Sequence, residues 1–118
     1  LNTGLNHLIR PMMYGSFHYI FNASNVDETQ KEEYRIVGNI CETDTFSFDF
    51  DGKQNERALN MAKEGDIIAF ANAGAYGFTM ASHYNSRFLP AEVLIDGGQA
   101  KLIRKRETIE DIVRNQIQ

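Results

Sequence analysis

The sequence predicts a mainly β fold with short helices, a barrel or sandwich, forming one domain or part of one. Three observations carry this. Apolar or aromatic runs at residues 17–21 (FHYIF), 34–40 (YRIVGNI) and 67–73 have strand length and composition. Asp96-Gly97-Gly98 separates two alternating segments, a hairpin signal. Helical spacing, wherever it occurs, is short.

Taken in order, residues 4–14 read as a short helix or irregular turn. Leu5, Leu8, Ile9 and Met12 or Met13 recur at helical spacing, and Pro11 forces a kink or an end near Arg10. Residues 17–21 follow as a strand, and 22–32 as a polar loop. Residues 34–40 read as a second strand that delivers Cys41-Glu42 at its end. Phe46, Phe48 and Phe50 alternate with Ser47 and Asp49, as in a third strand or an ordered extended loop. Residues 55–61 are expected to form a helical turn. Glu64-Gly65-Asp66 is a turn before the strand at 67–73. Gly74 and Gly77 give residues 72–78 backbone freedom rather than a long helix, and 80–90 read as loop. Residues 92–96 and 100–104 form the hairpin. Thr108 and Asp111 resemble a capping box that opens a final helix burying Ile109, Ile112 and Val113.

The chain has 118 residues, 42% of them apolar and 24% charged, with 9 Gly and 2 Pro. Those figures exclude a collagenous repeat or a long disordered tail, and a core at this length is thin. The net charge of -4 provides no general field for nucleic acid. One cysteine, Cys41, excludes an internal disulfide framework and favours a reducing, cytoplasmic compartment. No apolar run approaches the roughly 20 residues that span a bilayer. The chain opens at Leu1 directly in an ordered-looking pattern. Either a short leader has been trimmed or a larger part lies upstream.

Four places carry more chemistry than a core needs. Arg10 precedes a proline with Tyr14 four residues on, either a guanidinium clamp for a carboxylate or a surface ion pair beside a core tyrosine. Cys41-Glu42-Thr43-Asp44 stands at a strand end, where a thiol can be presented as a proton donor or simply be buried. In residues 72–78 (NAGAYGF), two glycines let backbone approach a bound group while Tyr76 faces it; a tight corner with a packed aromatic is the alternative. The loop Ser82-His83-Tyr84-Asn85-Ser86-Arg87 offers His83 as a base or as a solvated imidazole. No metal site is expected, because His7, His18 and His83 lack ligand spacing. The basic run Lys101, Arg104, Lys105 and Arg106 is short and leads into acids, so it reads as a solvated face.

In order, these segments closely resemble the C-terminal part of the diaminopimelate decarboxylases, pyridoxal-phosphate enzymes of fold type III. The block Thr3-Gly4-Leu5-Asn6, Leu8-Ile9-Arg10-Pro11 and Tyr14-Gly15 is similar to that family's opening motif. Ile40-Cys41-Glu42, Gly65-Asp66, Asn72 to Phe78, Tyr84-Asn85-Ser86-Arg87, Pro90-Ala91-Glu92-Val93-Leu94 and Ile103 to Thr108 follow in the family's order. Together they span nearly the whole chain.

The resemblance implies a C-terminal β-barrel or sandwich domain like that of alanine racemase, incomplete without preceding strands. It implies that Arg10 and Tyr14 hold the distal carboxylate of meso-diaminopimelate and that Glu42 pairs with the distal ammonium. Tyr76 would contact substrate and pyridoxal 5'-phosphate. Cys41 would return a proton to Cα after carbon dioxide leaves. Cys41 and Glu42 would reach the active site of a neighbouring subunit, making a homodimer the catalytic unit. An upstream TIM barrel would carry the Schiff-base lysine and the phosphate loop, whose motifs this chain lacks. The isolated 118 residues are therefore expected to be inactive. Neither nucleic acid nor membrane is an expected partner.

The sequence departs from the family pattern at a few positions. Asn2 replaces a usual Asp, Thr43 a common Ser, and residues 57–60 lack a proline. Two rival functions remain. One is a related decarboxylase acting on ornithine, arginine or carboxynorspermidine, against which Arg10 and the Cys41-Glu42 pair argue. The other is a non-catalytic β scaffold, which has no need of the Arg10, Tyr14, Cys41, Glu42 and Tyr76 set.

Overall fold

The structure is a computed structural model that describes residues 1–117. Its elements are α1 (Arg10–Tyr14), β1 (Ile20–Asn22), β2 (Lys31–Tyr34), β3 (Arg57–Asn60), β4 (Ile68–Phe70), α2 (Gly74–Gly77), a 3₁₀ turn at Tyr84–Ser86, β5 (Glu92–Asp96), β6 (Gln99–Arg104) and α3 (Ile109–Val113). The strands pair antiparallel in three two-stranded ladders, β1 with β4, β2 with β3 and β5 with β6. Ile20 faces Phe70, Lys31 faces Asn60, and Asp96 faces Gln99. This is the expected β fold with short helices, but no barrel or sandwich closes among the described residues.

The core is small. Leu8, Ile20, Ile36, Phe46 and Leu59 are buried together, with Tyr34, Ile68, Phe70 and Ala73 packed around them. Phe46 meets Phe70 edge to face at 4.9 Å. Asn22, fully buried at the end of β1, is satisfied on both sides: its amide nitrogen donates to Met61 O and Asp66 Oδ2, and its oxygen accepts from Ser24 N.

Two expected elements differ. The predicted strand at 34–40 is irregular, with its regular ladder lying upstream in β2 and only a single bridge at Val37, to Thr45. Buried hydroxyls supplement the remaining backbone bond, Phe46 N to Ile36 O at 2.9 Å: Ser47 Oγ accepts from Ile36 N at 2.6 Å, and Thr45 Oγ1 donates to Ile36 O at 3.3 Å. The helical turn expected at 55–61 is instead β3. Arg, Ala and Leu favour a helix there, but pairing with β2 and burial of Leu59 outweigh propensity.

Elsewhere the pattern is closer. Phe46 and Phe48 are buried, while Phe50 is exposed and stacks on Phe17 at 3.7 Å. The hairpin forms with positive φ at Gly97 and Gly98. At α3 the Asp111 carboxylate accepts from Thr108 N at 2.9 Å, as a capping box requires. The helix does not bury its apolar face, however, since Ile109 and Val113 are exposed.

The radius of gyration is 15.8 Å, against about 13.5 Å for a compact domain of this length. The hairpin contributes to this spread. Val93, Leu94, Ile95, Leu102 and Ile103 are all exposed, so β5 and β6 show apolar side chains on both faces. That composition belongs to strands covered on both sides, and a lone hairpin is marginal in water. No helix of the described residues is long and apolar enough to cross a membrane.

Candidate active site

Three of the predicted site residues come together. Pro11 stands in the first turn of α1, where its missing N–H costs nothing. Gly15 ends the helix in the left-handed region (φ 63°), returning its N–H to Pro11 O at 2.8 Å. One turn thus carries both Arg10 and Tyr14. The Arg10 guanidinium carbon lies 5.1 Å from the Tyr14 ring centroid and 5.0 Å from that of Tyr76. Tyr76 reaches this position from α2, a single helical turn that follows a left-handed Asn72 after β4. Two exposed rings therefore flank one guanidinium by cation–π contact. Arg10 has no ion-pair partner among the described residues.

Cys41 and Glu42 form a second group. Both are exposed on the bend that follows Ile40. Asn85 Nδ2 donates to Glu42 Oε2 at 3.4 Å. The Glu42 carboxylate pushes the Tyr84 phenol above its ordinary value, chiefly by hydrogen bonding and then by charge, with Cys41 adding to the effect. Asn85 and the adjacent Ser86 both have φ of 56°, an uncommon backbone for two consecutive residues other than glycine.

Asp44 joins the two groups. It is 7% exposed, and its carboxylate accepts from Leu5 N at 2.8 Å and from Ile40 N at 3.1 Å. Gly38 N also donates to Asp44 O at 2.8 Å. The bend bearing Cys41 and Glu42 is thereby fastened to the segment that leads into Arg10. Gly4 and Gly38 make this approach possible, because a Cβ would come within 2.5 Å and 2.0 Å of Asp44 Oδ2, respectively.

The histidines have structural partners. His83 Nε2 lies 2.7 Å from Glu107 Oε2, so its imidazole is paired rather than simply solvated. Glu107 also accepts from Leu89 N, and that bond, followed by His83, holds its carboxyl below the ordinary range. His18 Nδ1 faces Ala71 O at 3.1 Å. The described residues contain no group of three or more His, Cys, Asp or Glu able to hold a metal ion.

Sequence reasoning assigned no role to Asp44, Tyr84 or Asn85. The signal for Asp44 was its place three residues after Cys41; that for Tyr84 and Asn85 was the Tyr-Asn-Ser-Arg motif.

The exposed Tyr76 ring on its glycine-flanked turn can lie against a planar cofactor at a site's rim. All five lysines, Lys31, Lys53, Lys63, Lys101 and Lys105, are exposed. None lies in a buried apolar pocket of the kind that holds a Schiff-base lysine.

The comparisons with known proteins point the same way. The family model for the pyridoxal-dependent decarboxylase C-terminal sheet domain matches residues 1–74. Among curated relatives, diaminopimelate decarboxylase of Methanothermobacter thermautotrophicus is 44% identical over 117 residues, covering 98% of this chain and 26% of the relative. That of Haemophilus influenzae is 46% identical over 111 residues, covering 94% and 25%. The crystal structure of diaminopimelate decarboxylase from M. jannaschii superposes with a TM-score of 0.86 at 36% identity, covering 99% of this chain and 25% of that one. A further diaminopimelate decarboxylase crystal structure gives a TM-score of 0.86 at 42% identity, covering 96% and 28%. The chain thus spans about a quarter of the length of the relatives it matches. With more than half its residues inside the family model and this agreement in sequence and fold, the chain belongs to the family of pyridoxal-dependent decarboxylase C-terminal sheet domains.

Proposed function

We propose that this chain is the substrate-reading and proton-donating part of a diaminopimelate decarboxylase, which converts meso-2,6-diaminopimelate to L-lysine and carbon dioxide. The observation that carries it is the Arg10 guanidinium, flanked by the Tyr14 and Tyr76 rings and free of any carboxylate partner among the described residues. Its fork matches the two oxygens of a carboxylate, and the rings restrict its orientation. Arg10 and Tyr14 hold the distal carboxylate, the end that does not react. Glu42, beside Asn85 and Tyr84, takes the distal ammonium. The Tyr84 phenol, raised by the Glu42 carboxylate, stands beside it. Opposite charges at the two distal groups then read the far stereocentre.

When bound, pyridoxal 5'-phosphate supplies the electron sink for the carbon that loses carbon dioxide. Tyr76 borders it, and the Schiff-base lysine comes from a TIM-barrel part beyond these 118 residues. The Cys41 thiol delivers the proton to Cα. Cys41 and Glu42 act in the neighbouring subunit's site, so the working unit is a cytoplasmic homodimer. Strands from outside this region complete a barrel or sandwich and cover β5 and β6; their two-sided apolar surface supports that arrangement. A solved relative, from M. jannaschii, was crystallised with L-lysine, the product expected here.

Competition between meso-diaminopimelate and ornithine on the complete enzyme tests the assignment. Ornithine has no distal carboxylate. We expect a strong preference in kcat/KM for meso-diaminopimelate that Arg10→Leu removes. Equal use of ornithine by the unaltered enzyme would overturn the reading.

A further inference from the structure

We propose that the pocket between the opening segment and the arm that precedes α3 is a binding site for a small oxyanion of phosphate size. It encloses about 170 Å³ and is lined by Asn2, Asn6, His7, Asn39, Arg87, Phe88 and Arg106. The lining contains two arginines and no acid. Neither arginine forms an ion pair among the described residues. Arg87 spends one N–H on Asn39 O at 3.2 Å, leaving most of its fork free, while Arg106 has no hydrogen-bond partner among the described residues.

Asn6 lies at the floor of this pocket. It is 1% exposed, yet neither its amide nitrogen nor its oxygen is hydrogen bonded. A buried amide with both atoms unpaired is costly, and native structures seldom leave one without a partner. Both amide atoms are sealed from solvent, so Asn6 forms the floor beneath the two arginines rather than a direct ligand, and the arginine forks supply the donors. His7 serves as a wall rather than a ligand. Its Nε2 faces Phe88 O at 2.9 Å, which can only accept, so Nε2 carries the hydrogen and Nδ1 accepts from Thr3 Oγ1 at 2.8 Å.

The pocket's size limits the ligand. Sites for larger organic molecules occupy roughly 300 Å³ or more, so this one takes a small ion with a few waters. Its position links it to the loop of the candidate active site. Arg87 holds Asn39 O, Asn39 N donates to Thr3 O at 3.1 Å, and Cys41 follows two residues on. An oxyanion bridging Arg87 and Arg106 would brace the base of the Cys41–Glu42 bend.

Isothermal titration of the holoenzyme with inorganic phosphate tests the site, with acetate as the carboxylate arm. The readout is heat of binding, so it stands or falls separately from the decarboxylase assignment. We expect saturable binding of phosphate in the millimolar range or tighter. Arg106→Gln should weaken it about tenfold or more, the worth of one charge-assisted hydrogen bond. Lys105→Gln, outside the pocket, should leave it unchanged. Asn2→Asp keeps both arginines but adds a competing carboxylate, and should weaken phosphate binding comparably. No saturable binding, tighter binding of acetate than of phosphate, or phosphate binding unchanged from the parent in Arg106→Gln or in Asn2→Asp would overturn the proposal.

Discussion

Replacing Asp44 should loosen both halves of the candidate site at once. Its carboxylate accepts two backbone N–H groups, from Leu5 at 2.8 Å and Ile40 at 3.1 Å, in a buried setting. Asp44→Ala leaves both donors unpaired, at about 1–3 kcal/mol each, so a loss of roughly 2–6 kcal/mol is expected. Asp44→Asn keeps one accepting oxygen but turns a donor toward the other N–H, so it should lose about half of that or more. Gly38→Ala probes the same contact from the other side, because its Cβ would fall 2.0 Å from Asp44 Oδ2 and 2.7 Å from Gly4 Cα. In an Asp44→Ala background the first clash disappears and the second stays, so the double variant should be less unstable than the two losses summed. Urea denaturation of the protein carrying this region compares the four variants with the parent, and kcat/KM for meso-diaminopimelate should fall with their stability. Asp44→Ala within about 0.5 kcal/mol of the parent, the range of an ordinary surface change, would refute the reasoning.

Further outcomes follow from the same geometry. Glu42→Gln should reduce kcat/KM for meso-diaminopimelate far more than it reduces pyridoxal-phosphate affinity, measured by absorbance titration; equal losses would remove Glu42 from the distal site. The Asp66 carboxyl lies below its ordinary value, first because Asn22 donates to it and then because Lys63 N does. With a folded value below the unfolded one, its stabilising effect is present above the ordinary carboxylate range and is lost as pH falls through the folded value. Asp66→Asn should therefore flatten the acid limb of a stability-against-pH curve, and an unchanged limb would contradict this. Ile95 is 67% exposed. Ile95→Asp should change the stability of the 118-residue chain by less than about 0.5 kcal/mol but strongly destabilise the complete protein; equal effects in both would argue against covered hairpin faces.

The parts of the fold visible in the sequence were those set by local chemistry. Asp96-Gly97-Gly98 requires positive φ and marks the hairpin, while Thr108 and Asp111 are close enough to announce their cap. The failures lie where distant partners decide. The Arg57–Asn60 strand has helix-forming residues, and only its pairing with Lys31–Tyr34, more than twenty residues away, makes it extended. At Ile36 the N–H goes to the Ser47 hydroxyl instead of a strand carbonyl, and Thr45 Oγ1 adds a bond to Ile36 O, an exchange invisible to periodicity. The apolar face at Ile109 and Val113 was read correctly as apolar, but nothing within the described residues covers it.

The candidate site divides in the same way. Arg10 and Tyr14 share one turn, so their proximity follows from spacing alone. Tyr76 joins them across more than sixty residues of chain, and its role came from the family resemblance. Asp44 was passed over because its importance lies in reaching Leu5, 39 residues away, and no short motif expresses that contact.

Carbon dioxide release from meso-diaminopimelate, with pyridoxal phosphate added, tests the central assignment most directly. It should be measured on this chain alone and on this chain mixed with a barrel part carrying the Schiff-base lysine. Release only in the mixture is expected, because every lysine of this chain is exposed while the Arg10, Tyr14, Cys41, Glu42 and Tyr76 set is present. Release from the chain alone would contradict the division of labour, and no release from a mixture shown to associate would contradict the decarboxylase assignment.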